Sequence, residues 1–579
     1  MKLSDRQFPV IFLIPALFLL FCLYLKSAAG PFYLGNNNDP AYLYLVSSLY
    51  LLDGLTPGFI QHPGTTLQIL GAIIIRLMAG PVPFDLLLEN VYKSPEFFLH
   101  GIYYGLLAMN TISIVLLGWY VLLRSKRIFW VFLVQSSAVL ALSWNFIGVA
   151  QGNIPVVVNV SAENLLIALT NFYGLLLLKM YFDQKEGRVV RPRCWAAVLG
   201  ILCAAGLVTK TLFLAWALAP FFLIKDRKEK AVFILMLLTS VGIWTIPIWP
   251  NLDHFMDWYG MAMTHTGSSG EGAKGFVDFG TLGRNFLSLM RDNAFFCLVW
   301  VGIYLMAMGS LFMIYRNRLP TAPDALALRY VLVLCSAVFV TMLLIARQTA
   351  AHYIVPTVNL LGVLCFFACQ AWLIKEGIMM RAVLILLILL NTGSSLWAGT
   401  KLAGINAENQ AFSKKAYSEY GNCVVCGYYR SSSPAFALQF GDENQGHLAY
   451  VDVLKKMYPD TVFYHYWNRY FYDGRDIINY EDLKLRYPCI MLYGSRLPED
   501  FNTKFIKVRE IASSQSEGLY NVERVTIEEA LEAFYLAREL EAKHQYPRAY
   551  AYARKAKSLG MIKIDPYMES LLRKIIEQP

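Results

Sequence analysis

Gly206-Leu207-Val208-Thr209-Lys210-Thr211-Leu212-Phe213 lies between two apolar runs, 194–208 and 212–224. Each run alone is shorter than the roughly 20 residues a membrane-crossing helix needs. Read as one span, the stretch reverses the sidedness of everything after it. Read as two spans that turn at Thr209-Lys210-Thr211, it leaves sidedness alternating without a break. Flanking charge decides between the two. Under the split reading one set of loops holds Arg124-Ser125-Lys126-Arg127, then Lys185, Arg188, Arg191 and Arg193, then Lys225-Asp226-Arg227-Lys228, then Arg316 with Arg318, then Lys375 with Arg381. The opposite set holds only scattered Lys93, Lys210, Lys274, Arg284, Arg291 and Arg347. Lys and Arg collect in cytoplasmic loops, so the split reading is preferred and the N-terminus is expected inside.

The rest of the composition agrees. Of 579 residues, 56% are hydrophobic and only 16% charged, against about 25% charged in soluble domains. Apolar runs at 8–25, 97–123, 128–148, 165–182, 194–208, 212–224, 231–249, 294–315, 327–346, 354–374 and 382–399 predict a polytopic α-helical membrane protein of about eleven spans. The net charge of +10 falls largely in the clusters between spans, so nucleic acid is not the expected partner; membrane lipid is. The first run follows Lys2 and Arg6 and precedes Ser27-Ala28-Ala29. Its apolar core is longer than the about 7–15 residues of a signal peptide, which favours an uncleaved anchor over a cleaved signal.

Three regions follow: a transmembrane domain at 1–400 with a long first outer loop at 30–96, an outer-face α/β domain at 401–525, and a helical segment at 526–579. The last resembles a tetratricopeptide hairpin, too short for the about three repeats such an array needs. In the middle region β-rich runs at 423–429, 461–466, 489–493, 505–511 and 519–522 alternate with helical spacing at 434–440 and 447–457. Seven of the ten cysteines lie in or beside apolar spans. Cys423, Cys426 and Cys489 remain, enough for one disulfide and no framework. Cys423 and Cys426 are three apart on an expected strand and so point to opposite faces.

The residues with chemical potential cluster in the first loop and at span ends. Asp39-Pro40 is a good helix start, with Asp as N-cap and Pro at the first helical position. A carboxylate at a membrane surface can also act as a general base, and one residue can do both. His62 before Pro63 is either a turn residue or one that orients a substrate; Asp53-Gly54 reads as turn chemistry. Glu163 lies at the end of the 165–182 span, where it suits the helix dipole or faces a wet cavity. Lys210 and Arg347 either snorkel to the interface or hold an anion. Tyr42, Asp253, His254, His352 and Tyr353 are further candidates to line a cavity. Residues 267–275 are glycine-rich without a P-loop ending, and serve as a flap or a plain linker.

With those residues in place, 1–400 resembles the GT-C superfamily of polyprenyl-phosphate-sugar glycosyltransferases, in particular the protein O-mannosyltransferase and lipid A aminoarabinose transferase branch. The likeness rests on an N-terminal span followed by Asp39, Asp53-Gly54 and His62-Pro63. It rests further on Ser161-Ala162-Glu163-Asn164, Gly206-Leu207-Val208-Thr209-Lys210, and Arg347 with His352-Tyr353-Ile354-Val355-Pro356. Where the family often carries an acidic residue after its loop aspartate, this chain has Pro40. The resemblance implies Asp39 as catalytic base and Lys210 with Arg347 on the donor phosphate. It also implies Glu163 as a second acidic residue and His352 with Tyr353 beside Arg347 at the cavity, while His62, Tyr42, Asp253 and His254 stay candidates to line it. It implies a polyprenyl-phosphate sugar donor, a glycan, lipid or protein acceptor, and an active site outside a bacterial inner membrane. No metal ligand set stands out, and the resemblance leaves a divalent cation open. An oligosaccharyltransferase lacks its Trp-Trp-Asp-Tyr-Gly motif here, and a lipid-linked-sugar flippase lacks the expected inverted repeats.

Overall fold

The computed structural model describes residues 9–34, 41–60, 64–143, 156–187, 192–265, 274–275, 278–316, 323–348, 351–428, 433–446, 448–466, 470–497, 506–514 and 517–525, with a few positions between 533 and 555. The protein is a multi-pass membrane protein with a soluble sheet domain at its C-terminal side. Among the described residues eight helices are long and apolar enough to cross a membrane. The eleven expected spans each coincide with helix, but three of those helices are short: Ile128–Leu140, Arg193–Thr209 and Thr211–Leu223.

The chain opens with α1 (Leu13–Ala29). It then forms the first loop as α2 (Ala41–Leu52), α3 (Thr65–Ala79) and α4 (Phe84–Lys93). The axes of α3 and α4 differ by 96°. Helix α5 (Pro95–Ser125) starts on Pro95, which lacks the N–H that the first turn leaves unpaired anyway. After α6 (Ile128–Ser143), α7 (Ala162–Glu186) is capped by Ser161, whose Oγ accepts from Asn164 N at 3.3 Å. It ends at Gly187 with φ 63°.

The split pair is α8 (Pro192–Thr209) and α9 (Leu214–Leu223), joined by a 3-10 turn. Lys210 between them has extended backbone, φ −159° and ψ 128°. The helix breaks where the sequence put its one charge. Helices α10 (Arg227–Thr245), α11 (Leu252–Thr264), α12 (Phe279–Asp292), α13 (Ala294–Tyr315) and α14 (Ala325–Gln348) follow. A 3-10 turn Ala351–Ile354 leads into α15 (Val355–Asn359) and α16 (Leu361–Ala371). Helix α17 (Ile378–Glu419) has 42 residues. At about 1.5 Å per residue it is about twice the ~30 Å hydrocarbon thickness, and it carries the chain out of the membrane into the sheet domain.

At one end of the bundle Arg124 pairs with Glu186 (2.8 Å) and Lys185 with Asp324 (3.1 Å). The first loop leaves from the other end.

The sheet has seven strands, β1 (Val424–Gly427), β2 (Phe463–His465), β3 (Tyr470–Tyr472), β4 (Ile477–Ile478), β5 (Ile490–Ser495), β6 (Ile506–Ser513) and β7 (Glu517–Val525). Their order is β4-β3-β2-β1-β5-β7-β6. β1 is parallel to β2 and β5, and the outer pairs are antiparallel. A disulfide joins Cys423 to Cys489, at the starts of the neighbouring β1 and β5, while Cys426 is buried. The region 526–579 lies almost wholly outside the described residues.

Helix α2 is apolar enough to lie on a membrane surface, yet it is buried along nearly its whole length. Two further helices, α18 (Pro434–Glu443) and α19 (Val451–Met457), hold it and α4 beneath the sheet domain. Tyr50 Oη donates to Asp442 Oδ1 at 2.7 Å, Gln445 Oε1 accepts from Gly58 N at 3.0 Å, and Lys456 Nζ meets Glu89 Oε1 at 2.5 Å. The approach is close: a Cβ on Gly58 would stand 2.1 Å from the Gln445 carbonyl oxygen.

Candidate functional site

Lys210 is the centre of the site. The extended residue at the α8–α9 break sends its side chain inward, where it is 2% exposed. Its Nζ donates to Glu163 Oε1 and lies 3.4 Å from the centre of the Tyr353 ring. Glu163, also 2% exposed, sits in the first turn of α7, behind the Ser161 cap. His352 Nε2 is 3.9 Å from Glu163 Oε1. Residues distant in sequence, 163, 210, 352 and 353, therefore meet at the loop end of the bundle. Leu166, Leu212, Phe213, Trp216, Thr341, Pro356 and Thr357 complete the wall around Glu163, Lys210 and Tyr353, and the gap enclosed is about 10 Å³. That is near the least room that holds one water. An ammonium and a carboxylate this dry are held by each other, by the ring face and by helix-terminal dipoles.

The first loop reaches the same place. Thr66, at the start of α3, has its Oγ1 2.5 Å from Thr209 Oγ1, next to Lys210. From the opposite side Tyr259 of α11 donates to Thr211 Oγ1 at 2.8 Å. Thr209 belongs to the 206–210 stretch that carries the resemblance, but nothing in the sequence paired it with Thr66, or Thr211 with Tyr259; hydroxyls at helix ends carry no local signal of a tertiary partner.

The other expected site residues fall as follows. Asp39 and His62 lie outside the described residues, as do Pro40 and Pro63; Ala41 and Gly64 beside them are described. Arg347 is half-buried near the end of α14, shortly before the turn that carries His352 and Tyr353. Tyr42 donates to Glu96 Oε1 at 2.9 Å and so belongs to a different group of residues. Asp253 is exposed on α11; the side chain of His254 lies outside the described residues. Residues 267–273 of the glycine-rich stretch do too, while His265 just before it and Lys274 near its end pair as a β-bridge. Among the described residues no three His, Cys, Asp or Glu gather as metal ligands.

No protein-family model and no curated protein matches the chain. Among solved structures it is similar to the crystal structure of ArnT from Cupriavidus metallidurans bound to undecaprenyl phosphate. The match has 11% identity and a TM-score of 0.46, and covers 87% of this chain and 97% of that one. An identity and a score this low leave the family and the activity to be read from the chain's own residues.

Proposed function

We propose that the chain is an inverting glycosyltransferase of the GT-C type. It takes a sugar from a polyprenyl-phosphate donor and passes it to a hydroxyl-bearing glycan, lipid or protein acceptor at the loop end of the bundle. The observation that carries this reading is the convergence of Glu163, Lys210, His352 and Tyr353 beneath the first loop.

In the reaction the acceptor oxygen attacks the anomeric carbon, and the bond from that carbon to the phosphate oxygen breaks. The phosphate leaves with the electron pair, and the acceptor's proton passes to a base. Asp39, in the loop just before α2, is assigned that base; a positioned carboxylate contributes about 10²–10⁴-fold. Lys210 and Arg347 are assigned the departing lipid phosphate, whose charge sits at headgroup depth. Glu163 is a positioning residue that fixes where the Lys210 ammonium lies. The Cys423–Cys489 disulfide is in keeping with an oxidising compartment, and the basic loops at the far end are in keeping with a cytoplasmic face there. Both support placing the site outside a bacterial inner membrane.

The test is sugar transfer by purified protein from radiolabelled polyprenyl-phosphate sugars. Asp39→Asn is expected to lose about 10²-fold or more in rate. Transfer at the wild-type rate by this variant would sink the assignment of the base.

A further inference from the structure

A second polar cavity lies apart from Lys210, where the first loop leaves the membrane. It measures about 440 Å³ and is lined by Leu23, Lys26, Ser27, Gly30, Glu96, His100 and Tyr104, with Pro31. Ligand-binding pockets span about 300–1,000 Å³. Its walls are the last turn of α1 and the first turns of α5, both membrane spans. Lys26 is 6% exposed although it is charged. Its Nζ donates to Gly30 O at 2.7 Å and stands 3.2 Å from the Phe32 ring centre. An ammonium has three donors, so this bond leaves donors to spare. Gly30 has φ 74°, and a Cβ there would overlap Asn406; the turn that seats Lys26 needs glycine.

On the α5 side of the cavity Glu96 accepts from Phe32 N at 3.1 and 3.0 Å and from Tyr42 Oη at 2.9 Å. A carboxylate has about four acceptor sites, so it too keeps capacity. His100 Nδ1 lies 2.7 Å from Glu96 O. The carbonyl can only accept, so Nδ1 carries the proton and Nε2 of the neutral ring is an acceptor.

The cavity thus has a cationic, donating end at Lys26 and Ser27 and an anionic, accepting end at Glu96 and His100. Around it Leu20, Leu23, Phe97 and Tyr104 are exposed apolar side chains on the two spans. That flank faces acyl chains rather than water in a spanning bundle.

We infer that this cavity binds the headgroup of a zwitterionic phospholipid with a primary ammonium, the ethanolamine type. The phosphate sits on Lys26 and Ser27, the ammonium donates to Glu96 and His100, and the acyl chains run down the α1–α5 flank. A choline headgroup matches the charges but has no N–H to give. A glycerol headgroup leaves the acidic end without a cation. The assignment does not rest on the transferase reading.

The test is lipid retention by the full-length protein purified in detergent. Equal amounts of labelled phosphatidylethanolamine, phosphatidylcholine and phosphatidylglycerol are added, and the bound lipid is read by native mass spectrometry. Wild type is expected to retain the ethanolamine lipid about tenfold over the other two, the scale of one charge-assisted hydrogen bond. Glu96→Gln, which still accepts from Tyr42, is expected to bring the ethanolamine lipid down to the choline level. Lys26→Met is expected to reduce all three. Melting of the wild type with each lipid is a second readout that needs no variant; the ethanolamine lipid is expected to raise Tm most. Equal retention of ethanolamine and choline lipids by wild type would overturn the inference, as would preference for the glycerol lipid, the mark of a simple anion site. So would a folded Glu96→Gln protein that keeps the ethanolamine preference.

Discussion

At the scale of single residues, Glu163 and Lys210 set the hardest constraint. Both are almost fully buried and touch. Removing one partner of such a pair leaves a desolvated charge and costs about 3–5 kcal/mol, whereas replacing both with apolar groups of similar size can be neutral. Glu163→Gln alone is therefore expected to lower Tm sharply, and Glu163→Leu with Lys210→Met to restore most of it. If Lys210 also receives the donor phosphate, the double variant folds but transfers no sugar. Recovery of transfer together with stability would reduce the pair to a structural tie. The sequence marked Glu163 and Lys210 as charges at the ends of apolar runs, the resemblance marked His352 and Tyr353, and the fold brings the four together. Glu96 was passed over, since Pro95-Glu96 reads as an ordinary helix start. Its bonds to Phe32 and Tyr42 arise only when α1 and α2 pack on α5.

At the scale of elements, the extended Lys210 backbone is where one apolar helix ends and the next begins. Two helices of about three to five turns can meet at a buried charge because the break exposes backbone groups only inside protein. Hydropathy found the helices, but it did not foresee that α2 is covered by α18. An apolar face looks the same whether its partner is lipid or protein. β3 and β4 were missed because three- and two-residue strands give no usable alternation.

The α2–α18 contact makes a pH prediction. Asp442 is buried between Tyr50 Oη and Tyr450 N (2.7 and 3.0 Å), and burial pushes its carboxyl up to about 6. The unfolded value is about 3.9. The folded state binds the proton more tightly, so this stabilisation is complete below about pH 4 and is lost as pH rises through about 6. Asp442→Asn keeps an acceptor without the charge. The Tm of the variant relative to wild type is expected to climb between pH 4 and 6.5 and then level off, by at most about 3 kcal/mol in stability. Parallel melting profiles across that range would show that Asp442 does not carry the dependence.

At the scale of the whole molecule, the sheet domain is docked on the first loop, in which Asp39 stands two residues before α2 in sequence. α18 and α19 hold α2 and α4 through Asp442, Gln445, Tyr450 and Lys456. The domain thereby fixes the helix that the proposed base precedes in sequence. Gly58 is the place to test this, because its missing Cβ leaves room for the Gln445 backbone. Gly58→Ala forces that backbone away, at about 1–3 kcal/mol for an overpacked contact. The bundle, α2, α18 and one face of the sheet share a continuous core, while the other face of the sheet has a core of its own. Transfer is expected to fall at least about tenfold, with α18 becoming more accessible to protease while the Cys423–Cys489 bond and the sheet persist. Joining Glu89→Cys to Lys456→Cys with a short thiol cross-linker pulls the domain back, and is expected to recover part of the lost rate. Full activity in a Gly58→Ala protein whose domain has demonstrably lifted would mean that the first loop holds its catalytic shape unaided, and the domain's role would then lie with the acceptor.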